Sequence, residues 1–422
     1  LVSAPTSHPL LLAIAQLRPA SDQYVSQVVD LVLREARAAG VSDVHFVPTA
    51  DGLAVDWRMN GVLQSVGTLP TTGTNVVARL KVLAQLLTYR TDVPQEGRIQ
   101  WEQPSDVEMR LSTFPTLHGE KAVVRLFVGS GNYRRLDDLG LPDELTSEWR
   151  ARLSATSGVM LITGPAGSGK TTLLYASLRE LLHTAPERRS LVSLEDPIEA
   201  VVPGVAQSAV KPEAGFTYAR GLRSILRQDP EVIMVGEVRD RETAETVFQA
   251  ALSGHLVLTS FHAGSAADAV SRMSDMDIEP YLLRSGLQAV LCLRLLRCLC
   301  ACCQAGTRAE DRLGLPVSTC RVPAGCPECR GTGYSARFPI AELLDPMHGP
   351  VGQAILQRPD SAVIEEQAVA AGMVPLLQQA CDAVSRGVTS PAEVLRVFGL
   401  RPAPGRTTRP RNVGESPESR GG

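Results

Sequence analysis

Two regimes of apolar patterning divide this chain. Up to about Phe127, apolar residues mark one side of short helices and strands. Val25, Val28, Val29 and Val32 recur at the three-and-four spacing that lines one helix face. Ser21 and Asp22 offer N-caps to that helix, and Gly40 closes it. Val44–Val47 and Leu53–Arg58 read as strands, with Asn60-Gly61 as a two-residue hairpin turn before Val62. A second amphipathic helix buries Val76, Val77, Leu80, Leu83, Ala84 and Leu87 and carries Arg79 and Lys81 elsewhere. Strands at Arg98–Trp101, Val107–Thr113 and Lys121–Phe127 complete a small α+β domain over residues 22–128, behind a lead-in of residues 1–21. Gly129-Ser-Gly131 marks a hinge within residues 129–135.

From Leu136 the pattern changes to short, wholly apolar runs alternating with helices. Val159–Thr163, Leu191–Leu194, Val232–Val235 and Leu256–Ser260 are the runs. This predicts an α/β domain over residues 136–400, with a mainly parallel sheet wrapped by helices and ligands at the carboxyl ends of its strands. The last segments up to Leu400 read as helices, and the Pro/Arg/Gly/Ser tail of residues 401–422 is too poor in apolar residues to fold.

The first run leads into Gly164, Pro165, Ala166, Gly167, Ser168, Gly169, Lys170, Thr171 and Thr172. A buried strand that ends in glycines and reopens as a helix cradles phosphate. Glycines let backbone N–H groups approach the oxygens, the helix N-terminus adds positive potential, Lys170 reaches the β/γ-phosphates and Thr171 takes Mg²⁺. The spacing therefore predicts an ATP·Mg²⁺ site. The other runs end in Glu195-Asp-Pro-Ile-Glu199, in Gly236-Glu237 and in Phe261-His262. Phosphoryl transfer to water needs charge neutralisation and an oriented water. Glu237 suits the position that manages metal or water, Glu195 and Glu199 are the other carboxylates for water activation, and His255 and His262 are candidate γ-phosphate sensors.

Composition narrows the setting. The 422 residues carry a net charge of −3, with 44% apolar and 4% aromatic residues, enough for two or three packed domains. No run reaches the roughly 18 apolar residues of a membrane span, and the N-terminus lacks a signal-peptide pattern, so a cytoplasmic protein is expected. Most of the nine cysteines crowd between Cys292 and Cys303 or stand at Cys326 and Cys329. That grouping reads as metal chemistry rather than a disulfide framework. Cys300, Cys303, Cys326 and Cys329 form two Cys-x-x-Cys pairs that would fill a tetrahedral Zn²⁺ site with no open position, making the zinc structural. Cys298 and Cys302 are spare thiols nearby.

The acidic box Glu195–Glu199, the stretch Leu226–Asp240 and the histidine box Gly254–His262 together resemble the secretion ATPases of type II secretion and type IV pilus assembly, the general secretion pathway protein E group. Ser42-Asp-Val-His45, Pro94–Arg98 and Gly119-Glu-Lys121 are similar to that family's N-terminal domain, so the likeness runs from Val28 to about Leu344. The resemblance implies an α+β domain linked to a RecA-like motor, with a tetracysteine zinc module at about residues 298–340. It further implies a homo-hexamer that clamps ATP between domains, with Arg110 and Arg125 as phosphate-contacting arginines. Such a motor pushes on an inner-membrane platform protein and lies at the inner membrane through protein partners. Family members also carry an N-terminal region that docks on a membrane-anchored adaptor; only about twenty residues precede the first domain here, so that region is absent or the chain is a fragment. Departures are Asp56 and Asn60 in place of Arg and Asp, Gly236 in place of a common Asp, Ala263-Gly264 in place of Thr-Asn, and Leu293 in place of Gln. A pilus-retraction or DNA-uptake ATPase and a RecA-like nucleic-acid translocase are the alternatives. The tetracysteine pattern speaks against retraction, and an acidic chain poor in aromatics speaks against binding nucleic acid.

Overall fold

The computed structural model describes residues 8–69, 73–101, 107–128, 135–184, 189–302, 304–306, 309–358 and 360–399. The proposed hinge at Gly129-Ser-Gly131 and the tail from Arg401 lie outside these residues.

Helices α1 (Pro9–Ala15), α2 (Tyr24–Ala38) and α3 (Gly73–Leu83) accompany a six-stranded sheet. Its strands are β1 (Asp43–Thr49), β2 (Gly52–Met59), β3 (Val62–Leu69), β4 (Gln95–Ile99), β5 (Val107–Thr116) and β6 (Gly119–Val128), in the order β3-β2-β1-β6-β5-β4 with antiparallel neighbours. Val28, Val29, Val32 and Leu80 from the helices share one core with Val44, Phe46, Met109, Leu111, Val124 and Leu126. Strand alternation then sets Asp43, Arg110 and Arg125 on the opposite face. Asn60 and Gly61 both have positive φ, 49° and 80°, as the tight turn between β2 and β3 requires.

Three local expectations change. The N-cap of α2 is Gln23, and Ser21 instead accepts from the Gln23 N–H at 3.2 Å. Leu87 falls beyond the end of α3 and is exposed. Lys81 is wholly buried, not on a solvated face: its ammonium donates to both Glu120 oxygens at 2.9 and 3.0 Å and to the Arg90 carbonyl at 2.8 Å. Its three protons have three acceptors, which offsets the desolvation of a charge at that depth.

The second sheet has seven strands, β7 (Gly158–Thr163), β8 (Leu191–Glu195), β9 (Ala206–Ala209), β10 (Val232–Val235), β11 (Leu256–Phe261), β12 (Leu287–Leu299) and β15 (Tyr334–Leu344), in the order β15-β12-β7-β11-β10-β8-β9. From β12 to β9 the pairing is parallel throughout. Strands β7, β10 and β11 are buried along their whole length, which is why they read as unbroken apolar runs. Helix α4 (Asp143–Leu153) leads into β7, and helices α5 (Lys170–Thr184), α6 (Tyr218–Ile225), α7 (Arg241–Leu252), α8 (Ala266–Asp275) and α9 (Pro280–Gly286) lie between strands of this sheet. Strand β15, in a stretch expected to be helical, precedes α10 (Gly349–Leu356), α11 (Ser361–Ala370), α12 (Leu376–Ser385) and α13 (Pro391–Phe398).

The chain forms two compact units, one reaching to Leu295 and including Ala336–Leu376, the other made of Leu296–Ser335 and the chain from Leu377. The second unit contains the short antiparallel pair β13 (Gln304–Gly306) and β14 (Arg321–Pro323). Leu296, Val384 and Val394 are fully buried in it, together with a buried charge network. Glu393, with no exposed surface, accepts from the Arg297 backbone N–H at 3.0 Å and from the Arg297 and Arg396 guanidinium groups at 2.6–2.8 Å. The Arg297 guanidinium lies 3.8 Å over the Tyr334 ring, and the Tyr334 hydroxyl bonds Ser390 at 2.6 Å. Among the described residues no helix is long and apolar enough to cross a membrane.

Burial pushes the Glu393 carboxyl up, but bonds from Arg396 and Arg297 outweigh it and hold the group below the usual carboxylate range. A depressed folded value contributes stability that is complete above about pH 5 and is lost as the pH falls below about 4. Glu393→Gln should therefore lower the stability of this unit by about 3 kcal/mol at pH 7, by leaving two arginines without a carboxylate. The deficit should shrink toward pH 3.5 in urea unfolding followed by amide hydrogen exchange at α12 and α13.

Candidate functional site

The loop after β7 is shaped by glycine. Gly164 has φ 141°, and a Cβ there would sit 2.5 Å from the Leu293 carbonyl and 2.6 Å from Ser168 Oγ; Gly167 and Gly169 also have positive φ. The loop closes on itself and hands over to α5 at Lys170, whose first turn presents unpaired N–H groups. Lys170 is 9% exposed, and its Nζ donates to the carbonyls of Gly164 at 2.9 Å and Pro165 at 3.1 Å. Among the described residues Ser168 Oγ is buried with no hydrogen-bond partner, as suits a loop that awaits an anion. Burial presses the Lys170 ammonium below the usual lysine range, and the Glu237 carboxylate opposes that shift.

A chain of polar contacts leaves Lys170 along the carboxyl edge of the sheet. Nζ lies 3.4 Å from His262 Nδ1, and His262 Nε2 lies 2.9 Å from Glu237 Oε1. With Lys170 donating to one ring nitrogen, the other carries the proton toward Glu237. Glu237 Oε2 accepts from Arg239 Nε at 2.9 Å, and Arg239 Nη1 reaches Asp196 at 3.2 Å. The His262 loop is pinned from behind: Arg272 donates to the His262 carbonyl, Arg294 to the Gly264 carbonyl at 2.8 Å, and Glu342 accepts from the Ala266 N–H at 2.7 Å.

The remaining expected groups separate. His255 stands before β11 begins, at the opposite end of the sheet, because parallel strands point their carboxyl ends one way. Its Nδ1 lies 2.9 Å from the Ala250 carbonyl, at the end of α7, so it is a helix-end group and not a phosphate sensor. Glu195 is 3% exposed; Oε1 accepts from Ser193 at 2.6 Å and Gln207 at 2.9 Å, and Oε2 accepts from the Tyr175 hydroxyl. The Glu199 backbone N–H donates to that same hydroxyl at 3.0 Å. At Gly236 a Cβ would come within 3.0 Å of the Tyr218 hydroxyl, so tyrosine fills the space beside this position.

Two cavities open here, one beside the acidic-box loop and one beside the phosphate loop. One, of about 750 Å³, is lined by Arg98, Arg110 and Arg125 on one side and by Pro197 and Ile198 of the acidic-box loop on the other. Arg125 is held from beneath by the buried Asp43 carboxylate, Nε to Oδ1 at 2.8 Å. The other, of about 300 Å³, lies between Ser168, Gly169 and Thr172 and the segments Asp138–Leu141 and Arg337–Pro339.

In the second unit, Cys300, Cys326 and Cys329 converge, with Sγ–Sγ separations of 3.8 Å (300 to 326) and 3.6 Å (326 to 329). A zinc tetrahedron with 2.3 Å bonds has edges of about 3.8 Å, so these sulfurs fit that ion. Backbone N–H groups of Cys326 and Gly333 donate to Cys329 Sγ at 3.1 Å, as suits a thiolate ligand. Cys303 lies outside the described residues, and Cys302 Sγ contacts Glu328.

Arg239, Tyr175, Gln207 and Arg272 are missed by the motif reading. Arg239 lies within the stretch Leu226–Asp240, and Tyr175 stands among the apolar neighbours Leu173, Leu174 and Ala176, where a hydroxyl needs a buried partner.

A family description, type II/IV secretion system protein, matches residues 18–396. The type IV pilus assembly ATPase PilB of Thermus thermophilus is 36% identical over 89% of this chain, which spans 43% of that protein's length. The type IV pilus assembly ATPase TfpB of Acinetobacter baylyi is 36% identical over 90% of this chain and 66% of its own. The type II secretion system ATPase E of Vibrio cholerae is 37% identical over 90% of this chain and 76% of its own. Among solved structures, the Legionella pneumophila ATPase DotB shares the fold with TM-score 0.66 at 20% identity, covering 91% of this chain and 98% of that one. The pilus retraction motor PilT with bound ADP does so with TM-score 0.61 at 22% identity, covering 88% and 96%. On the match across residues 18–396 and on these identities, the chain belongs to the type II/IV secretion system protein family.

Proposed function

We propose that this chain is the RecA-like ATP-hydrolysing motor of a type II secretion or type IV pilus assembly machine. The observation that carries the reading is the buried Lys170 in its glycine loop, joined through His262 to Glu237 at one sheet edge. The loop from Gly164 to Thr172 binds the phosphates, and the 300 Å³ cavity beside Thr172 seats the base. Thr171 and Glu237 are the residues that would hold Mg²⁺, which would neutralise phosphate charge there. Glu237 orients the attacking water, and its contact with Arg239 fixes the carboxylate's direction. His262 reads the γ-phosphate because it already bridges the loop lysine and that carboxylate. Glu199 borders the site through its backbone, and Arg110 and Arg125 supply charge from the 750 Å³ cavity.

The reading includes a homo-hexamer that acts at the inner membrane on a platform protein, with a membrane-anchored adaptor as a second partner only where the docking region accompanies this chain. Cys300, Cys326 and Cys329, with Cys303 as the fourth ligand expected from the sequence, would hold Zn²⁺, which would staple the cysteine-bearing segment. The net charge of −3 disfavours a nucleic-acid translocase, and the cysteine cluster favours assembly over retraction.

Lys170→Ala should weaken ATP binding by about tenfold or more, while Glu237→Gln should bind ATP normally and turn over about 10²-fold more slowly. Hydrolysis by Glu237→Gln at the parental rate removes the assignment. Arg110→Ala should cut turnover toward the roughly 10³-fold range with ATP affinity unchanged; an unimpaired variant would show that the cavity arginines take no part in the chemistry. Protein purified without added zinc should contain one zinc per chain, and Cys326→Ser with Cys329→Ser should lose it. Metal analysis giving no zinc in the parent excludes the site.

A further inference from the structure

We infer that Tyr175 is a positioning residue that ties the acidic-box loop to the phosphate-loop helix, so that the state of the nucleotide loop is passed to the loop facing the arginines. The inference rests on the ATP-site reading and deepens it. Tyr175 lies on α5, about 7.5 Å along the helix from Lys170, and is 1% exposed. Its hydroxyl is used fully: it donates to Glu195 Oε2 and accepts from the backbone N–H groups of Glu199 at 3.0 Å and Ala200 at 3.2 Å. One donor and two lone pairs meet one acceptor and two donors, so one rotamer satisfies all four groups.

The other end of the same loop has a separate anchor. Gln207 on β9 donates to Glu195 Oε1 and to the Ala200 carbonyl, both at 2.9 Å, and accepts from the Val202 N–H at 2.6 Å. Glu195, enclosed by Tyr175, Ser193 and Gln207, is therefore the post on which the loop is mounted and not a group that meets water. Between these anchors and the end of β8, Pro197 and Ile198 form the wall opposite Arg110 and Arg125. Gln207 belongs to the sheet, whereas Tyr175 belongs to the helix whose first turn holds phosphate. A helix moves as a rigid body, so a shift of Lys170 and Thr171 on binding carries the Tyr175 hydroxyl with it. The loop must follow or lose the two hydrogen bonds from Glu199 and Ala200.

Amide hydrogen exchange on the full chain tests this with Tyr175→Phe, which keeps the ring and removes the hydroxyl. Without nucleotide, exchange at Glu199 and Ala200 should be about tenfold faster than in the parent, while β7 and α5 exchange alike and report an intact fold. With β,γ-imido-ATP and Mg²⁺, the parent should gain protection in both the phosphate loop and residues 196–202. Tyr175→Phe should gain it in the phosphate loop alone. Its turnover should fall about tenfold with the KM for ATP within about twofold. Gln207→Leu should loosen the same residues yet keep their response to nucleotide. Parental exchange at Glu199 and Ala200 in Tyr175→Phe, or a nucleotide response there equal to the parent's, overturns the inference. Parental protein that protects the phosphate loop but not residues 196–202 overturns it too. A parent that protects neither region overturns the ATP-site reading and the coupling with it, and is told apart by that missing loop protection.

Discussion

A charge taken out of water has to be answered by oriented polar atoms, and Lys170 sets that demand for the whole carboxyl edge of the second sheet. Two loop carbonyls and a ring nitrogen of His262 answer it. Because the ring accepts on one side it donates on the other, and the carboxylate of Glu237 is thereby fixed in direction. Arg239 and Asp196 continue the alternation of sign. Parallel strands make this possible: His262, Glu237 and Asp196 all come within two residues of a strand's end, on β11, β10 and β8. A single antiparallel neighbour would send one of them to the far edge, where His255 stands.

The two sheets manage charge differently. In the six-stranded sheet the apolar face is packed and the other face carries arginines over buried acids, Asp43 beneath Arg125 and Arg58. The acid is what lets a guanidinium be presented rather than left to wander, since a bond at Nε fixes the plane of the fork. In the second unit a buried charge network centred on Glu393 accompanies buried apolar residues such as Leu296, Val384 and Val394, and pH acts on that network more directly than on apolar packing.

The strands and the phosphate loop could be read from the sequence because each is a local pattern: an apolar run for a strand buried on both faces, a glycine spacing for a loop that must approach phosphate. What could not be read is set by partners far away along the chain. Lys81 looks like a surface residue until Glu120, 39 positions later, is placed against it. Glu195 looks like a free carboxylate until Tyr175 and Gln207 close over it. Strand β12 mixes arginines and cysteines among its leucines, and that blurs the signal that marks β7 and β11. The grouping of α12 and α13 with the cysteine-bearing segment is likewise a tertiary fact with no local trace.

The absence of a side chain at Gly236 shapes what lies beside it. A Cβ there would meet the Tyr218 hydroxyl at 3.0 Å and the Leu194 carbonyl at 3.4 Å. The first of these is the far end of a side chain, which would have to give by a few tenths of an ångström, whereas the second is backbone held in β8. Any residue larger than glycine at 236 therefore presses on Tyr218, and the two positions are coupled sterically.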